Sequence, residues 1–372
     1  MSKPAIDSKY LKNTLEKLLN IPSPAGMTEA VVDMVSAELD SMGISYEITN
    51  RGAIKAFIPG KKNAPHRAVA VHLDTLGAMV KRLKPNGRLG LVAVGTWSSR
   101  FAEGARVLVH CDNGKKYRGT VLPLKASGHT YHKQVDSQPT TWENLEIRID
   151  ETCTGSDSLW QLGIRVGDFV SVDTNFEISD SGYINSRYLD DKSGVASVLA
   201  ALRAIQKAKI IPSINCHILF TVTEEVGTGG AHIIDPVIKE LVSVDNGTMA
   251  PEQNTCEFGV TIAMQDMGGP FDRALSMHLI DICRREKLEF SRDVFNYYLS
   301  DGAGAQKAGH DVRVALMCFG LDASHGYERV HIRSLETVAN LVAGYLLSPQ
   351  LKFSTNGSEK KIKTDMEQHV QR

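Results

Sequence analysis

From Asp190 onward, apolar segments typical of buried strands alternate with amphipathic segments typical of helices, and this alternation constrains the fold of the 372-residue chain most strongly. The strand segments are INCHILFTVT, VSVD, GVTIAMQD and VRVALMCF. The helical segments are DKSGVASVLAALRAIQKAK, a stretch from about Gly230, PFDRALSMHLIDICRREK and Leu335 to Leu347. Alternating β and α units favour a mainly parallel sheet with helices on both faces. The sequence therefore predicts the α/β fold class.

The first 76 residues fit the same architecture. Leucines and valines recur at helical spacing over residues 9 to 43, and IPSPAG interrupts them, so two helices are predicted, the second from near Thr28. AVAVHL, residues 68 to 73, predicts a fully buried strand. The polar stretch from about Ser354 is predicted to fray.

The pattern of apolar and turn residues changes between residues 77 and 172. Short β-rich runs and turn residues replace helical periodicity, and VLVHCDNGKKYRGTVL predicts a hairpin with Asn113-Gly114 at its turn. This stretch is predicted to be an all-β, barrel-like insertion that divides a catalytic domain of residues 1–76 and 173–372. Because an exposed β surface usually needs cover, the insertion is expected to serve self-association and substrate access.

Composition excludes several classes of partner. With 42 basic and 43 acidic residues, the net charge of −1 gives no electrostatic case for nucleic acid or an anionic membrane. No apolar run approaches the roughly 18 residues of a membrane span, and the N-terminus shows no secretory signal. The six cysteines are scattered without a CxxC pair, which favours reduced thiols in a cytoplasmic protein over a thiolate metal site.

Ionisable residues follow nearly every strand of the predicted sheet. They are His72 and Asp74, Asp190 and Asp191, Glu224 and Glu225, Asp245, and His325. In open α/β sheets, ligands bind at the carboxyl ends of the strands, so these residues are expected to share one rim. Each cluster alone is weak evidence, and their joint placement carries the prediction.

The chemistry of this set points to transition metals. Two histidines with several carboxylates suit zinc, cobalt or manganese and not calcium. Adjacent acids such as Glu224 and Glu225 repel each other when buried, and a bound cation reverses that repulsion. One acid of the pair can then bind metal while its neighbour serves as general base for the attacking water.

Five motifs together resemble the family forty-two metallo-aminopeptidases, also called tetrahedral aminopeptidases. They are HLDTLG, LDDKSG, EEVGTGGA, the aspartate of VSVD and SHGYERVH, and the likeness covers nearly the whole chain, including the inserted β module. The resemblance implies amide-bond hydrolysis of small peptides with two divalent metals per subunit, zinc or cobalt, with manganese as a further candidate. It also implies dimers that build a hollow dodecamer.

The resemblance assigns residues to both metals. Asp190, the first aspartate of its motif, would bridge them; His72 and Asp245 would complete one site, and Glu225 and His325 the other.

Two further residues receive roles from the same likeness. Glu224 would be the general base for a water held between the metals, and Asp74 would orient His72.

Four departures from the family pattern concern the pocket. Thr75 stands in place of a glutamate, Lys192 in place of an arginine, SDGAGAQ around Asp301 in place of a Thr-Asp-Ala-Gly motif, and no Ser-Pro-Val follows His325. The pattern is similar to a divergent branch associated with the osmoprotectant N-acetylglutaminylglutamine amide. That likeness implies a small blocked dipeptide or amide as an alternative substrate.

Alternative interpretations stay open at this stage. A deacylase of N-blocked amino acids would use the same metal-dependent chemistry. A non-catalytic assembly or binding protein that keeps the fold is the alternative from another class. A dinuclear phosphoesterase is a third possibility, but the sequence shows no added basic motif that would bind phosphate. His331 competes with His325 as the late ligand, Asp191 could be a helix N-cap, and Asp245 could start an Asx-turn.

Overall fold

The computed structural model describes residues 4–63 and 65–351 and contains one large mixed sheet and one closed barrel. The helices are α1 (Ser8–Leu19), α2 (Glu29–Ser41), α3 (Gly128–Tyr131), α4 (Gln134–Ser137), α5 (Ser156–Leu162), α6 (Leu189–Ala208), α7 (Arg273–Glu286), α8 (Asp301–Lys307) and α9 (Ile332–Leu347). The strands are β1 (Ser45–Ile48), β2 (Ile54–Ile58), β3 (His66–His72), β4 (Gly77–Leu83), β5 (Leu89–Val94), β6 (Arg106–His110), β7 (Lys116–Pro123), β8 (Leu145–Ile149), β9 (Phe169–Val172), β10 (Glu177–Ile178), β11 (Tyr183–Ser186), β12 (Cys216–Thr221), β13 (Ile238–Met249), β14 (Val260–Asp266), β15 (Gly269–Pro270), β16 (Phe290–Val294), β17 (Arg313–Asp322) and β18 (Glu328–His331). Within these ranges, no helix combines the length and apolar character needed to cross a bilayer.

The large sheet is parallel at its centre and antiparallel towards its edges. Its main path runs β1-β2-β12-β3-β13-β17-β18-β11-β10, and β14 adds to β17 and carries β16 and β15. The neighbours β12, β3, β13 and β17 are mutually parallel, so their carboxyl ends meet at one edge. These four strands are buried on both sides, as expected for parallel strands between helical layers. The predicted α/β class is confirmed, with a parallel core inside a mixed sheet.

Helices cover both faces of the sheet, and β13 shows this directly. Tyr345 of α9 donates its hydroxyl to Glu240 on one face, at 3.2 Å. The backbone N–H of Gly302 in α8 donates to Ser243 Oγ at 2.9 Å. Because Glu240 and Ser243 are three residues apart on one strand, their side chains point to opposite faces. The long helix α6 packs with α1 and α9 and contacts β3 and β13.

Arg67 ties the sheet to the end of α9. This guanidinium on β3 is fully buried, lies 3.4 Å from the carboxylate of Glu240, and donates to the backbone carbonyls of Tyr345, Ser348 and Pro349. The last carbonyls of a helix have no partner within the helix, so Arg67 supplies it from the sheet. This contact fixes the helical layer against the strand that ends at His72.

A closed six-stranded barrel lies between β3 and the return of the chain to the large sheet. Its strand order is β4-β5-β8-β7-β6-β9, all between Gly77 and Val172. Strands β6 and β7 form the predicted hairpin, pairing from Arg106 with Thr120 to His110 with Lys116, and Gly114 in its turn has φ +79°. Closure removes the free edges that a six-stranded open sheet would expose.

The helix predicted from about Gly230 is wrong. The structure has a single 3-10 turn there, Gly230–His232, before β13 begins at Ile238. The reason is a close backbone approach: a Cβ on Gly230 would lie 2.1 Å from the carbonyl oxygen of Asp301. The VSVD strand is also much longer than predicted, at 12 residues, because it pairs with both β3 and β17. The stretch predicted to fray from Ser354 lies outside the described residues.

Candidate metal centre

The structure brings all seven predicted site residues to the carboxyl edge of the parallel strands. His72 is the last residue of β3, Asp245 lies in the second half of β13, and His325 follows β17. The others stand in the loops after β3 and β12 and at the start of α6, and they are Asp74, Asp190, Glu224 and Glu225. Parallel register produces this convergence: Thr221 of β12 pairs with His72, and Ser243 of β13 pairs with Ala70.

Two overlapping clusters of ligand atoms share Asp190. Atoms of His72, Asp190 and Asp245 lie within 4.8 Å of one another, and so do atoms of Asp190, Glu225 and His325. His72 Nε2 lies 3.2 Å from Asp190 Oδ1, whereas His325 Nε2 lies 3.5 Å from Asp190 Oδ2. One carboxylate therefore presents its two oxygens to two different histidines, the geometry that suits a group between two cations.

His331 lies elsewhere. Its Nε2 is 2.9 Å from the carbonyl oxygen of Ser181, and its ring packs edge-on against Tyr183 and Phe258. The structure thus places His325, and not His331, beside Asp190.

Asp74 differs from the sequence expectation in how it acts on His72. The contact to His72 Nδ1 comes from the backbone carbonyl of Asp74, at 2.9 Å, while the carboxylate is 3.8 Å away. The carboxylate instead accepts the backbone N–H groups of Glu224 at 3.1 Å and Glu225 at 3.2 Å. Asp74 therefore fixes the loop that carries the acid pair.

His325 is held by the inserted barrel as well as by its own loop. Its Nδ1 lies 2.8 Å from the carbonyl oxygen of Thr96, in the segment that follows β5. A carbonyl at this distance accepts the hydrogen of Nδ1, so Nε2 is the nitrogen that faces Asp190 and Glu225 and that could bind a metal once it is unprotonated. His325 itself has φ +65°, a left-handed conformation that requires support from its surroundings.

Glu328 provides that support, and the sequence interpretation missed it. Its Oε1 accepts the backbone N–H of His325 at 2.9 Å, and its Oε2 accepts those of Leu189 at 2.7 Å and Asp190 at 3.2 Å. Glu328 is only 2% exposed. One buried carboxylate thus joins the backbones of two candidate ligands. In the sequence, this role could have been inferred only from the position of Glu328 in SHGYERVH, three residues after His325.

Three further side chains lie behind the clusters. In the sequence, Asn246 has no predicted role, Asp191 is a candidate helix N-cap, and Asp301 is named only within a motif near the pocket. Asn246 donates its amide to Asp190 Oδ2 at 2.7 Å. Asp191 makes no capping bond to α6 and accepts the backbone N–H of His72 at 3.3 Å. Asp301 accepts the hydroxyl of Thr221 at 2.8 Å. The contacts of Asn246 and Asp191 thus support Asp190 and His72 from outside the two clusters.

Burial shapes the electrostatics of the carboxylates. Burial, followed by the charge of Asp190, raises the pKa of Asp245 to about 8 and the pKa of Glu225 well above its usual range. Burial likewise raises the pKa of Glu224. For Asp190, burial also raises the pKa, but hydrogen bonds with His325 and His72 outweigh it and hold the pKa below its usual range.

The histidines respond in the opposite direction. Burial lowers the pKa of each, but the hydrogen bond to Asp190 and the surrounding carboxylates outweigh it. The result raises the pKa of His325 to about 10 and the pKa of His72 well above its usual range. Without metal, these shifts favour protonated, positively charged histidines at this rim. A bound cation would replace those protons and supply the positive charge itself.

The residues present fit divalent transition metals. Glu225 Oε1 is buried and has no hydrogen-bond partner among the described residues, although it belongs to the cluster with His325. Imidazole nitrogens and carboxylate oxygens together are the donor set of zinc, cobalt and manganese sites. A cavity of about 840 Å³ opens over Asp190, Asp245 and His325, so a substrate can reach the clusters.

Three further histidines, His217, His129 and His132, also lie outside the two clusters. His217 is packed on β12 and stacks on His66 with ring centroids 5.0 Å apart. His129 and His132 are exposed at the short helix α3 of the barrel region.

Lys192, at the start of α6, is buried and donates to the carbonyls of Leu18 and Ile21. It anchors α1 to α6.

Comparison with known proteins gives the family. Residues 52–341 match the M42 glutamyl aminopeptidase family. The chain is 37% identical over 337 residues to the putative aminopeptidase YhfE of Bacillus subtilis, covering 91% of this chain and 97% of that protein. It is 26% identical over 310 residues to the glutamyl aminopeptidase of Lactococcus lactis, covering 81% and 84%.

Solved structures show the same fold. The TET1 peptidase of Pyrococcus horikoshii, described as assembling into a tetrahedron or a large octahedral shell, superposes with a TM-score of 0.81 at 19% identity, covering 91% of this chain and all of that one. A TET aminopeptidase from a marine-sediment archaeon of the Thaumarchaeota gives 0.83 at 16% identity, over 92% and 98%. The chain thus belongs to the M42 glutamyl aminopeptidase family and is an enzyme of the peptidase type, as its motifs predict.

Proposed function

We propose that this protein is a dinuclear metal-dependent aminopeptidase that removes N-terminal residues from small peptides, with Glu224 as general base. The position of Asp190 carries the proposal, because its two carboxylate oxygens face His72 and His325 separately. His72, Asp190 and Asp245 would hold one divalent ion, and Asp190, Glu225 and His325 the other. When bound, the two ions would polarise the scissile carbonyl and make an attacking water more acidic.

Of the acids that line the cavity, Glu224 is the one outside both clusters. Its Oε2 lies 3.9 Å from His72 Nε2, its side chain is 13% exposed, and it lines the cavity. Its backbone is fixed by the carboxylate of Asp74. A carboxylate in this place can take the proton of the attacking water and give it to the leaving amine as the C–N bond breaks.

The proposed reaction makes Glu224→Gln the sharpest test of the chemistry. The amide cannot accept the proton of the attacking water, so we expect kcat to fall by about 10²- to 10⁴-fold. Because Glu224 is in neither cluster, the bound metal should stay at the wild-type level. Turnover of a free dipeptide and elemental analysis of the same sample measure both quantities, and Glu225→Gln is the matched variant that should lose metal.

The same assay separates the aminopeptidase from the deacylase alternative. Each peptide is offered with a free and with an acetylated N-terminus, with cobalt or zinc and again with chelator. Metal-dependent cleavage confined to free forms supports the proposal, while cleavage confined to acetylated forms supports a deacylase of blocked dipeptides. Near-normal turnover by Glu224→Gln would remove the general-base assignment.

Glu328 provides a test of how the ligands are held. In Glu328→Gln one end of the side chain becomes an NH₂ group, which cannot accept the N–H of His325 or those of Leu189 and Asp190. Loss of such a supporting contact typically weakens metal binding about 10- to 100-fold, and we expect a change of that size in zinc dissociation constants from calorimetry.

The control for this variant is Glu257→Gln. Glu257 lies near the same sheet edge but pairs with Tyr183 and Arg329, away from the candidate ligands. It should leave zinc binding unchanged. If Glu328→Gln folds normally and binds zinc as tightly as the control, the supporting role of Glu328 is wrong.

We further propose that the chain forms a homo-oligomer, with the insertion of residues 77–172 as the module for assembly and substrate access. Two large apolar side chains on the barrel, Trp160 and Val166, are 58% and 66% exposed, and a structural relative is described as forming tetrahedral and octahedral shells. Light scattering should give a mass that is a multiple of 40.7 kDa, with a dodecamer built from dimers as the expected form. A clean monomer would contradict assembly and leave the chemistry untouched.

A further inference from the structure

The cavity over the metal centre has one wall that the catalytic proposal does not use. Residues 295–299, the segment FNYYL after β16, line it in succession, and Met267 extends the wall from the turn between β14 and β15. Thr248 lies on the same cavity, at the end of β13 beyond Asp245. On the proposed function, a substrate bound at the candidate metal centre would place its side chain in the cavity that this wall bounds.

Packing and hydrogen bonds anchor part of this wall, whereas Tyr297 within it is 93% exposed. Phe295 is 2% exposed, and its ring packs edge-on against Tyr298 with centroids 5.2 Å apart. Tyr298 donates its hydroxyl to the backbone carbonyl of Asn246, at 3.1 Å. The segment begins after Asp293, whose carboxylate accepts the backbone N–H of Asn254 at 2.8 Å. Anchored aromatic side chains of this kind form a preorganised apolar site.

The charges around the cavity are confined to the candidate metal centre. The described lining residues include neither lysine nor arginine, and the acids among them are Asp190, Glu224, Glu225 and Asp245. On the proposed function, three of these acids face metal ions and Glu224 moves a proton. Apart from His325, a candidate metal ligand, the other polar side chains of the lining are neutral amides and hydroxyls. A charged substrate side chain that packs against the buried part of this wall would therefore leave water without gaining an oppositely charged side chain, which costs binding free energy.

We infer that this pocket accepts an uncharged, mainly apolar side chain of the leucine or phenylalanine type and discriminates against glutamate and lysine. The inference rests on the proposed function, because it concerns the residue removed at the same site. It also departs from the glutamyl substrate that the family description names, since a glutamate side chain would find neither lysine nor arginine among the described lining residues.

The first measurement is hydrolysis of four dipeptides, Leu-Ala, Phe-Ala, Glu-Ala and Lys-Ala, by the metal-loaded full chain. We expect kcat/KM for the leucine and phenylalanine substrates to exceed those for the charged substrates by about tenfold or more. Equal rates, or faster cleavage of Glu-Ala or Lys-Ala, would overturn the inference while leaving the aminopeptidase intact.

A charge placed in the wall should change this preference. Leu299 is half-buried in the wall, and Leu299→Lys should raise kcat/KM for Glu-Ala relative to Leu-Ala by about tenfold, whereas Leu299→Met should not. Met267 is 56% exposed, so Met267→Lys is safe for folding and should act in the same direction, about threefold because water screens it. Met267→Gln is its neutral control. Unchanged preference in both lysine variants would contradict a role for this wall.

Calorimetry separates failure of the pocket from failure of the catalytic proposal. Free leucine, phenylalanine, glutamate and lysine are titrated into the metal-loaded protein. Preferential binding of the uncharged pair without hydrolysis of any dipeptide would support the pocket and overturn the proposed reaction. Equal binding of all four, or binding of the charged pair alone, would overturn the pocket whether or not peptides are cleaved.

Discussion

Repulsion among buried carboxylates is the constraint on which the site depends. Asp190, Glu225 and Asp245 lie at one sheet edge with little access to water, and burial raises the pKa of the last two. Charged together, they would oppose folding unless positive charge lies between them. Without metal, protons on two histidines supply part of that charge; divalent ions, which would bind the same histidines in their neutral form, would supply it instead. The adjacent glutamates of TVTEEVG are explained in the same way: Glu225 belongs to a cluster and Glu224 does not.

The rest of the structure holds these repelling groups in place. Four parallel strands deliver their ends to one edge, and three buried carboxylates behind the clusters bind backbone N–H groups and position the loops. Those carboxylates are Asp74, Asp191 and Glu328. The barrel takes part as well, because the carbonyl of Thr96 contacts His325 and a Cβ on Gly95 would lie 3.4 Å from the carbonyl oxygen of Glu225. The insertion thus contacts the candidate metal centre directly, in addition to any role in assembly.

The sequence predicted the parts of the fold that depend on local pattern. Hydrophobic runs located β3, β12 and β17, and strand order in parallel sheets places their ends together, so residues as distant as His72 and Asp245 could be assigned to one rim. Contacts between side chains and distant backbone could not be predicted, because they depend on how loops pack after folding. Glu328 and the true partner of the Asp74 carboxylate belong to that class. The missed turn at Gly230 has the same origin, since only the packed structure shows Asp301 against it.

The central claim is that Asp190 serves both clusters, and stepwise metal binding tests it directly. Zinc titration by calorimetry should give two sites in the wild type, and Asp190→Ala should weaken both. Asp245→Ala should weaken only the site with His72, and Glu225→Ala only the site with His325, because each belongs to a single cluster. If Asp190→Ala weakens one site and leaves the other at wild-type affinity, Asp190 does not lie between two metals and the account is wrong.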